Sequence, residues 1–544
     1  MKRVLAGAGA IALSASLFTV IAPAAHAATT LTVPGRYRTI GAAIAAAHSG
    51  DTVLVSPGTY RENITIAGKN VVLRSTSGPD QTVIAGGPGR TPVMIQNVSA
   101  GTVIQGFKII YGNAPEGQGG GITIANGASP VIAYNKILSN RSHDGAGILV
   151  YNHSNPDIAY NYIQNNVAAR FGGGVFAVIA SNPTLHNNVI TGNQAIGGGG
   201  VYLESNSANR AEHAGGNITL NYIQNNIAAE AGGGVMLRTG ETAAITRNTI
   251  TGNRAPYGGG VHVETNGSGP LIAGNVIASN TAASSGAYPG SGSGGGISVF
   301  GQSTPLIQGN TVYGNASTLY GGGIVLAEGS SSRVVGNNIA ANSVASTATI
   351  AGGGGIYTAN SDVSMWNNIL RANRARGGGG LCFTGTGSWV VLNNTLVANA
   401  ATGGGSGALG GGMFVGGKTS GKTSIVSNMF VANNNYQIFD AGRISGYGNN
   451  LADQSQLGAF YGYGTGALTS LASLNGHSGI GPAYANLNGN SGFVNGAGGN
   501  YMLTRTSSAV DAGRVLGAPS NDFRGARRPY GRYPDIGAYE YTGG

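Results

Sequence analysis

The 544-residue chain has little charge and almost no cysteine. Charged residues make up 9% of it, aromatic residues 7%, and Cys382 is the single cysteine. One cysteine excludes an intramolecular disulfide and any zinc site built from several thiolates. Hydrophobic residues still reach 41%, so despite 98 glycines the chain has enough apolar side chains for a folded core and does not belong to the disordered class.

Long apolar runs are also missing, apart from one at the N-terminus. Residues 4–21 form an apolar stretch that follows Lys2 and Arg3 and precedes the segment Ala25-His26-Ala27. This order is typical of a secretory signal peptide, so we expect residues 1–27 to be removed and the mature chain to be secreted, periplasmic or at the cell surface. No later run reaches transmembrane length, and we predict no membrane span in the mature chain.

Basic residues outnumber acidic ones, 29 to 19, which gives a formal net charge of +10. No run rich in Lys and Arg accompanies this balance, and we therefore predict no nucleic-acid partner. A polyanionic polysaccharide such as a uronate polymer would suit a basic surface, although a basic exported protein need not bind a polyanion. Both interpretations stay open.

The dominant feature of the chain is an internal repeat. A triplet of small residues followed by an apolar residue occurs eleven times, about 26 residues apart with occasional insertions. The triplets end at Gly121, Gly147, Gly174, Gly200, Gly234, Gly260, Gly296, Gly323, Gly355, Gly380 and Gly412. Each unit also holds two asparagines five residues apart, as at Asn161 and Asn166. A repeat of this length indicates a solenoid in which successive coils stack.

The residues that follow each triplet alternate in polarity, as in the segment 201–204 (VYLE), where the first and third are aliphatic. A period of two predicts a β-strand with its aliphatic side chains inward. We therefore expect an all-β, single-stranded parallel β-helix with coils ~4.8 Å apart, in which stacked asparagines form ladders of side-chain amides. The segment from Thr39 to His48 has helical spacing and predicts a short helix that caps the N-terminal end.

Several motifs resemble a known group of proteins. The segments 37–44 (YRTIGAAI) and 50–63 (GDTVLVSPGTYREN), with the Asn-x-Ile-x-x-Asn units, resemble bacterial secreted right-handed parallel β-helix proteins of the pectin-lyase-like superfamily. The C-terminal segments 509–513 (AVDAG), 522–525 (DFRG) and 535–540 (DIGAYE) resemble the choice-of-anchor Q module. The resemblance implies right-handed winding and a cross-section of three sheets. It does not select an activity, because the superfamily includes lyases, hydrolases, epimerases and adhesins.

These features divide the chain into four parts. We expect a signal peptide over residues 1–27, an N-terminal cap with the first coils over 28–100, the repeat coils over 101–435, and irregular terminal coils with the anchor-like tail over 436–544. In the tail, Arg524, Arg527, Arg528 and Arg532 with Asp522 and Asp535 are predicted to form a docking network and not a functional site.

Acidic residues are scarce, so a row of charges on successive coils is informative. The second and fourth residues after each triplet are predicted to face outward, and the fourth is Glu204, Arg238 and Glu264 on three neighbouring coils. Two coils separate the glutamates by about 9.6 Å, close to the ~6.5–9.5 Å between the carboxyl groups of inverting glycosidases. We predict these three residues as catalytic, with a salt ladder of little energetic weight as the alternative.

Further residues are predicted to bind substrate beside this row. Tyr202 and Phe176 are expected to stack on sugar rings, and His262 is expected to contact the sugar. Glu212 and His213, in the insertion over residues 205–216, are expected to reach the same groove.

The favoured function is that of an exported carbohydrate-active protein that binds or cleaves a polysaccharide. If it is an enzyme, the sequence favours a polysaccharide lyase or a glycoside hydrolase. The alternative is a non-catalytic surface or matrix adhesin, or a structural β-helix protein. We predict a monomer with no cofactor and no metal, and Cys382, without a nearby histidine in the sequence, is not predicted to be a nucleophile.

Overall fold

A computed structural model of the chain describes residues 27–543 apart from 206–214, 289–290, 347–351, 404–408, 443, 445, 454–456, 463–464 and 478–482. Nearly all of the predicted signal peptide, residues 1–26, lies outside the described residues. The described chain winds as a parallel β-helix, which confirms the predicted fold class.

One coil shows how the winding follows the sequence. Its strands are Asp157–Ala159, Tyr162–Gln164, Val167–Phe171 and Val175–Val178, and they belong to four different sheets, named A, B, D and C in that order. Sheets A, B and C run almost the whole length of the solenoid, and sheet D is shorter. The fourth sheet departs from the expected three-sheet cross-section, because the residues just before each glycine triplet also pair from coil to coil.

Sheets A and B flank the first asparagine turn of each coil. The strands of sheet A are Thr30–Val33, Thr52–Val55, Val72–Ser75, Val103–Gln105, Val131–Ala133, Asp157–Ala159, Thr184–His186, Asn217–Thr219, Ala244–Thr246, Leu271–Ala273, Leu306–Gln308, Ser331–Val335, Asp362–Trp366, Thr386–Leu392, Lys418–Val426, Tyr447–Gly448 and Ala483–Tyr484. The strands of sheet B are Gly58–Tyr60, Thr82–Ala85, Lys108–Ile110, Lys136–Leu138, Tyr162–Gln164, Val189–Thr191, Tyr222–Gln224, Thr249–Thr251, Val276–Ala278, Thr311–Tyr313, Asn338–Ala340, Ile369–Arg371, Thr395–Val397, Met429–Val431, Leu451–Asp453 and Leu487–Asn488.

Sheets C and D flank the glycine triplets. The strands of sheet C are Ile64–Ala67, Val93–Gln96, Ile122–Ala125, Ile148–Tyr151, Val175–Val178, Val201–Glu204, Val235–Arg238, Val261–Glu264, Ile297–Val299, Ile324–Ala327, Ile356–Ala359, Leu381–Thr384, Met413–Val415, Tyr436–Asp440, Gly458–Gly462 and Gly466–Leu468, the last pair being antiparallel. The strands of sheet D are Arg141–Asp144, Val167–Phe171, Gln194–Gly197, Ile227–Ala231, Arg254–Ala255, Thr281–Ala282, Ala316–Ser317, Ser343–Val344, Arg374–Ala375 and Ala400–Ala401.

Aliphatic rows fill the lumen of the solenoid. Val175, Val201, Val235 and Val261 pair in register on four successive coils and are fully buried. The glycine triplets let these coils approach closely, because a Cβ on Gly174 would collide with the backbone carbonyl of Gly200. Burial of these rows removes apolar surface from water along the whole axis, which is the main stabilising contribution.

Two asparagine ladders join the coils at the corners of sheet B. Asn248 is typical: its Nδ2 donates to Oδ1 of Asn275 at 3.0 Å and to the carbonyl of Ile218 at 2.7 Å, and its Oδ1 accepts from Nδ2 of Asn221 at 3.0 Å. These side chains are buried, and each amide satisfies backbone groups that the turn leaves unpaired. The predicted amide ladder is therefore present.

A short helix closes the N-terminal end, as predicted. Helix α1, Ile40–Ala46, buries Ile40 and Ile44, and Thr39 accepts a hydrogen bond from the backbone N–H of Ala42 at 3.1 Å. The carboxylate of Glu62 accepts from the first two N–H groups of the helix, both at 2.9 Å. This arrangement satisfies donors that a helix start leaves without intrahelical partners.

The C-terminal tail folds back onto the outer face of sheet B. Sheet strands continue past residue 435 to Asn488, and a hairpin of Phe493–Asn495 and Asn500–Leu503 follows, with a one-turn 3₁₀ helix, Leu471–Leu474, before it. The tail and sheet B share an apolar cluster of Ile369, Val397, Met429, Val431, Leu451, Tyr501, Leu503, Ala509, Ile536 and Ala538.

A buried ionic network holds the tail in shape. Arg528 and Glu540, both without exposed side-chain surface, pair at 3.1 Å from Nε to Oε2. The carboxylate of Asp522 accepts backbone N–H groups of Arg524, Ala526 and Glu540. Asp535 accepts from the N–H groups of Asp511 and Tyr541. Of the residues predicted to form a docking network, Asp522, Arg524, Arg528 and Asp535 make these contacts within the tail, whereas Arg527 and Arg532 are exposed.

The asparagine ladder generates a stability prediction. Asn248→Ala removes one amide and leaves its partners on both neighbouring coils unpaired, so we expect the unfolding free energy to fall by about 3 kcal/mol. Asn217→Ala, at an exposed position of sheet A, is the matched control and should change it by less than about 0.5 kcal/mol. Denaturant midpoints measure both, and equal midpoints for the two variants would show that the ladder does not stabilise the coils.

The tail network generates a pH prediction. Burial raises the pKa of Asp535 to about 7, from an ordinary value of 3.8. Folding thus favours the protonated carboxyl, so this contribution is complete below about pH 4 and is lost as the pH rises to about 7. Asp535→Asn should flatten the decline of the melting temperature between pH 4 and 7. Burial also raises the pKa of Glu540, so the variant should keep a smaller decline of the melting temperature with pH. A decline as steep as that of the wild type would contradict the assignment to Asp535.

Candidate functional site

A row of charged side chains occupies the ends of three neighbouring strands of sheet C. Glu204 pairs in register with Arg238, and Arg238 with Glu264, so the structure places all three on successive coils as the repeat predicts. Arg238 lies between the two carboxylates, and its Nε is 3.8 Å from Oε2 of Glu264. Both side chains of that pair are 38% exposed, so solvent reaches the row.

The two glutamates have different neighbours. Glu204 accepts a hydrogen bond from the hydroxyl of Tyr202 at 3.2 Å. Glu264 lies beside His262, with 3.9 Å between Oε2 and Nε2, and His262 is held by a 2.7 Å hydrogen bond between its Nδ1 and Oγ of Ser298. The same residue type therefore sits in two distinct environments on one face.

These environments shift the two carboxyl pKa values in opposite directions. Burial raises the pKa of Glu204, against the charge of Arg238 and the hydrogen bond from Tyr202. The contact with His262 lowers the pKa of Glu264, and Arg238 adds to this effect against partial burial. Two carboxyl groups with diverging pKa values are the arrangement that general acid–base chemistry requires.

The second-position side chains face outward as predicted, but they are buried and therefore not available for the predicted stacking on sugar rings. Tyr202 is 0% exposed, Phe176 5% and His262 4%. They point away from the lumen, but the strands of sheet D cover them: the ring of Phe171 stacks on that of Tyr202 with centroids 4.7 Å apart. Tyr202 and Phe176 therefore do not present ring faces to a sugar. Cys382, in the corresponding position, is also buried.

The other predicted binding residues are placed as follows. Glu212 and His213 lie outside the described residues. His262, although buried, lines an open cleft next to Glu264. This cleft has a volume of about 190 Å³ and is lined by Glu230, Ala231, Met236, Tyr257, His262, Glu264, Phe300 and Glu328. It lies at the downstream end of the charged row.

Sequence reasoning missed three residues of the cleft, Glu230, Tyr257 and Glu328. Tyr257 directly precedes a glycine triplet, and it pairs with Ala231 on one side and Ser293 on the other. An alignment of the residues that directly precede the glycine triplets would have placed Tyr257 beside Ala231 and Ser293. Glu230 is held by Tyr288 of the insertion over 283–293, whose hydroxyl donates to Oε2 at 3.2 Å, and no sequence pattern indicates that contact.

At the end of the row opposite the cleft, beside Glu204, Arg170 and Asp144 form an ion pair with a structural role. Arg170 donates to the carboxylate of Asp144 through Nε and Nη2, at 3.3 and 3.1 Å. Asp144 also accepts the backbone N–H of Phe171 at 3.1 Å, which fixes the ring that covers Tyr202. His143 lies 3.0 Å from the same carboxylate. Through Asp144, this ion pair therefore holds the ring of Phe171 over Tyr202.

In the part of the chain that the structure describes, no set of three or more His, Cys, Asp and Glu side chains is arranged to hold a metal ion. No helix there has the length and apolar character needed to cross a membrane. Burial raises the pKa of the Cys382 thiol.

The fold and the repeat define a class of solenoid proteins, and comparison with known families agrees. The family described as the right handed beta helix region matches residues 64–215 and 214–435, and this chain belongs to it. A search of curated proteins found no match.

Several solved structures are similar to the chain, among them the following three. The A-module of mannuronan C-5 epimerase AlgE6 from Azotobacter vinelandii is 16% identical, with 62% of this chain and 88% of that one covered and a TM-score of 0.28. A mannuronic acid-specific polysaccharide family 6 lyase from human gut microbiota is 13% identical, with coverage of 66% and 87% and a TM-score of 0.30. Pectate lyase Pel9A is 13% identical, with coverage of 92% and 90% and a TM-score of 0.28. At these values the likenesses carry nothing about substrate or reaction.

The burial of Tyr202 generates a prediction. Tyr202→Ala empties a packed cluster beneath Phe171, so we expect the unfolding free energy to fall by about 3 kcal/mol or more. Tyr222→Ala, at a position 58% exposed on sheet B, is the matched control and should have little effect. Denaturant midpoints compare the two. A wild-type midpoint for Tyr202→Ala would mean that the ring is exposed after all.

Proposed function

We propose that this chain is an exported glycoside hydrolase that cleaves a polysaccharide lying along sheet C. The observation that carries the proposal is the row Glu204–Arg238–Glu264, whose two carboxyl groups have pKa values shifted in opposite directions. Export rests on the signal-peptide pattern of residues 1–27.

The diverging pKa values assign a role to each glutamate. Glu204, whose pKa burial raises, retains its proton to higher pH and serves as the general acid that protonates the leaving oxygen. Glu264, whose pKa is lowered, is ionised and serves as the general base that activates water. Two coils separate their backbones by about 9.6 Å, close to the ~6.5–9.5 Å between the carboxyl groups of inverting enzymes.

Arg238 acts between the two carboxyl groups as a fixed cation. Desolvation works to lower its pKa, but the contact with Tyr202 and the charges of Glu264 and Glu204 outweigh this and raise it. A guanidinium that stays charged does not take a proton from a sugar carbon, so this position favours hydrolysis over elimination. With His262, which has the larger effect, its charge keeps Glu264 ionised, and its remaining N–H groups are donors for sugar hydroxyl groups.

The test is hydrolysis of a panel of polysaccharides, followed by reducing ends and by the anomeric configuration of the first product in NMR spectra. We expect a bell-shaped pH profile and an inverted anomer. Glu204→Gln and Glu264→Gln should each lower kcat by about 10³-fold or more, and Glu204→Gln should retain the affinity for substrate. Asp80→Asn, at an exposed carboxylate that pairs with Lys136 on another face, is the matched control and should leave kcat unchanged.

Each alternative gives a different result in this assay. A product that absorbs as an unsaturated uronate would show elimination and make the chain a lyase. Binding without cleavage of any polysaccharide would make it an adhesin-like protein. Full activity in both glutamine variants would contradict the assigned roles.

A further inference from the structure

The charge of the cleft is opposite to that of the chain. The formal net charge is +10, yet among the described residues that line the cleft three are glutamates, Glu230, Glu264 and Glu328, and none is lysine or arginine. Arg238 approaches Glu264 from the neighbouring coil but is not part of the lining. Among the lining residues these three carboxylates outnumber the one titratable base, His262, and a concave site with an excess of negative charge concentrates cations.

The walls of the cleft are aromatic. The rings of Tyr257 and Phe300 meet edge to face with centroids 5.5 Å apart, and the ring of His262 lies 5.6 Å from that of Phe300. Such rings attract a cation through their π faces, and carboxylates beside them add to that attraction.

A buried polar atom also faces the cleft. His262 is 4% exposed, and its Nδ1 is engaged by Ser298 at 2.7 Å. Its Nε2 lies on the side of Glu264, at 3.9 Å from Oε2, which is too long for a hydrogen bond. A ligand hydroxyl placed between the two would complete the hydrogen bonding of this nitrogen.

The carboxylates of Glu230 and Glu328 both act electrostatically on Tyr257, one of the residues that line the cleft. After burial, the charges of Glu328 and Glu230 are the causes that raise the pKa of Tyr257. Glu328 has a φ of 56°, in a turn where other coils hold Asn126, Asn360 and Ile179 in the same conformation.

We propose that the cleft binds an amino sugar with a free ammonium group, so that the polysaccharide is a cationic polymer of the glucosamine type. The ammonium group would lie among the carboxylates of Glu230, Glu264 and Glu328 against the rings of Tyr257 and Phe300. A uronate at this place would meet like charge. This inference rests on the proposed function in one respect only, namely that the polysaccharide follows sheet C.

The test is calorimetric titration of the full chain with oligomers of equal length: glucosamine with free amino groups, fully N-acetylated glucosamine, and galacturonate. We expect the free-amine oligomer to bind about tenfold or more tightly than the acetylated one, with an affinity that falls with salt, and the galacturonate oligomer not to bind. Glu230→Gln and Glu328→Gln, outside the catalytic row, should each weaken the free-amine oligomer about threefold to tenfold. Asp80→Asn is the matched control for the loss of one charge and should bind normally.

The outcomes separate this inference from the proposed function. Equal affinity for free and acetylated oligomers, or wild-type affinity in both glutamine variants, would overturn it. Hydrolysis of a neutral or acidic polysaccharide would overturn it and leave the glycosidase intact. Tight binding of the glucosamine oligomer without cleavage would support it and overturn the glycosidase.

Discussion

The stacking of one coil directly on the next is the constraint on which the rest of this structure depends. Within the two ladders an asparagine donates to an asparagine on the following coil, as Asn221 does to Asn248 and Asn248 to Asn275, both at 3.0 Å, and Asn433 ends its ladder by donating to Gln437. A slip of one residue would break these buried amide contacts and turn the aliphatic rows outward. The ladders therefore hold the register through the insertions, whose lengths differ from coil to coil.

That register makes chemistry possible on a chain with few charges. Glu204, Arg238 and Glu264 lie 34 and 26 residues apart in sequence, yet they occupy the same place on successive coils. The stacked coils set the spacing of the three residues. The side chains around them, including those of sheet D, give Glu204 and Glu264 different environments. Phe171, anchored through Asp144, encloses Tyr202 beside Glu204, whereas His262 and Arg238 stabilise the charge of Glu264. Two identical side chains thereby acquire distinct protonation behaviour.

The sequence was sufficient for the features that repeat and insufficient for those that do not. The inward rows, the amide ladders and the charged row follow from spacing alone, because every coil repeats the same local geometry. The capping helix occurs once and follows from the helical spacing of residues 39–48. The burial of Tyr202 and Phe176 depends on side chains from sheet D, and no periodic pattern of apolar residues marks them as covered. Likewise the contact of Tyr288 with Glu230 joins residues 58 positions apart through an insertion that occurs once. Parallel coils also extend past residue 435, since backbone pairing continues after the glycine triplets end.

The most direct measurement of the central claim is the titration of the individual glutamate carboxyls by ¹³C NMR. The chain has nine glutamates, so selective labelling of the side-chain carboxyl gives few signals, and Glu204→Gln and Glu264→Gln assign two of them. The account predicts that Glu204 titrates above the ordinary glutamate range and Glu264 below it. It also predicts that Arg238→Ala raises the pKa of both. Two ordinary and indistinguishable titrations would contradict the assignment of acid and base to this row.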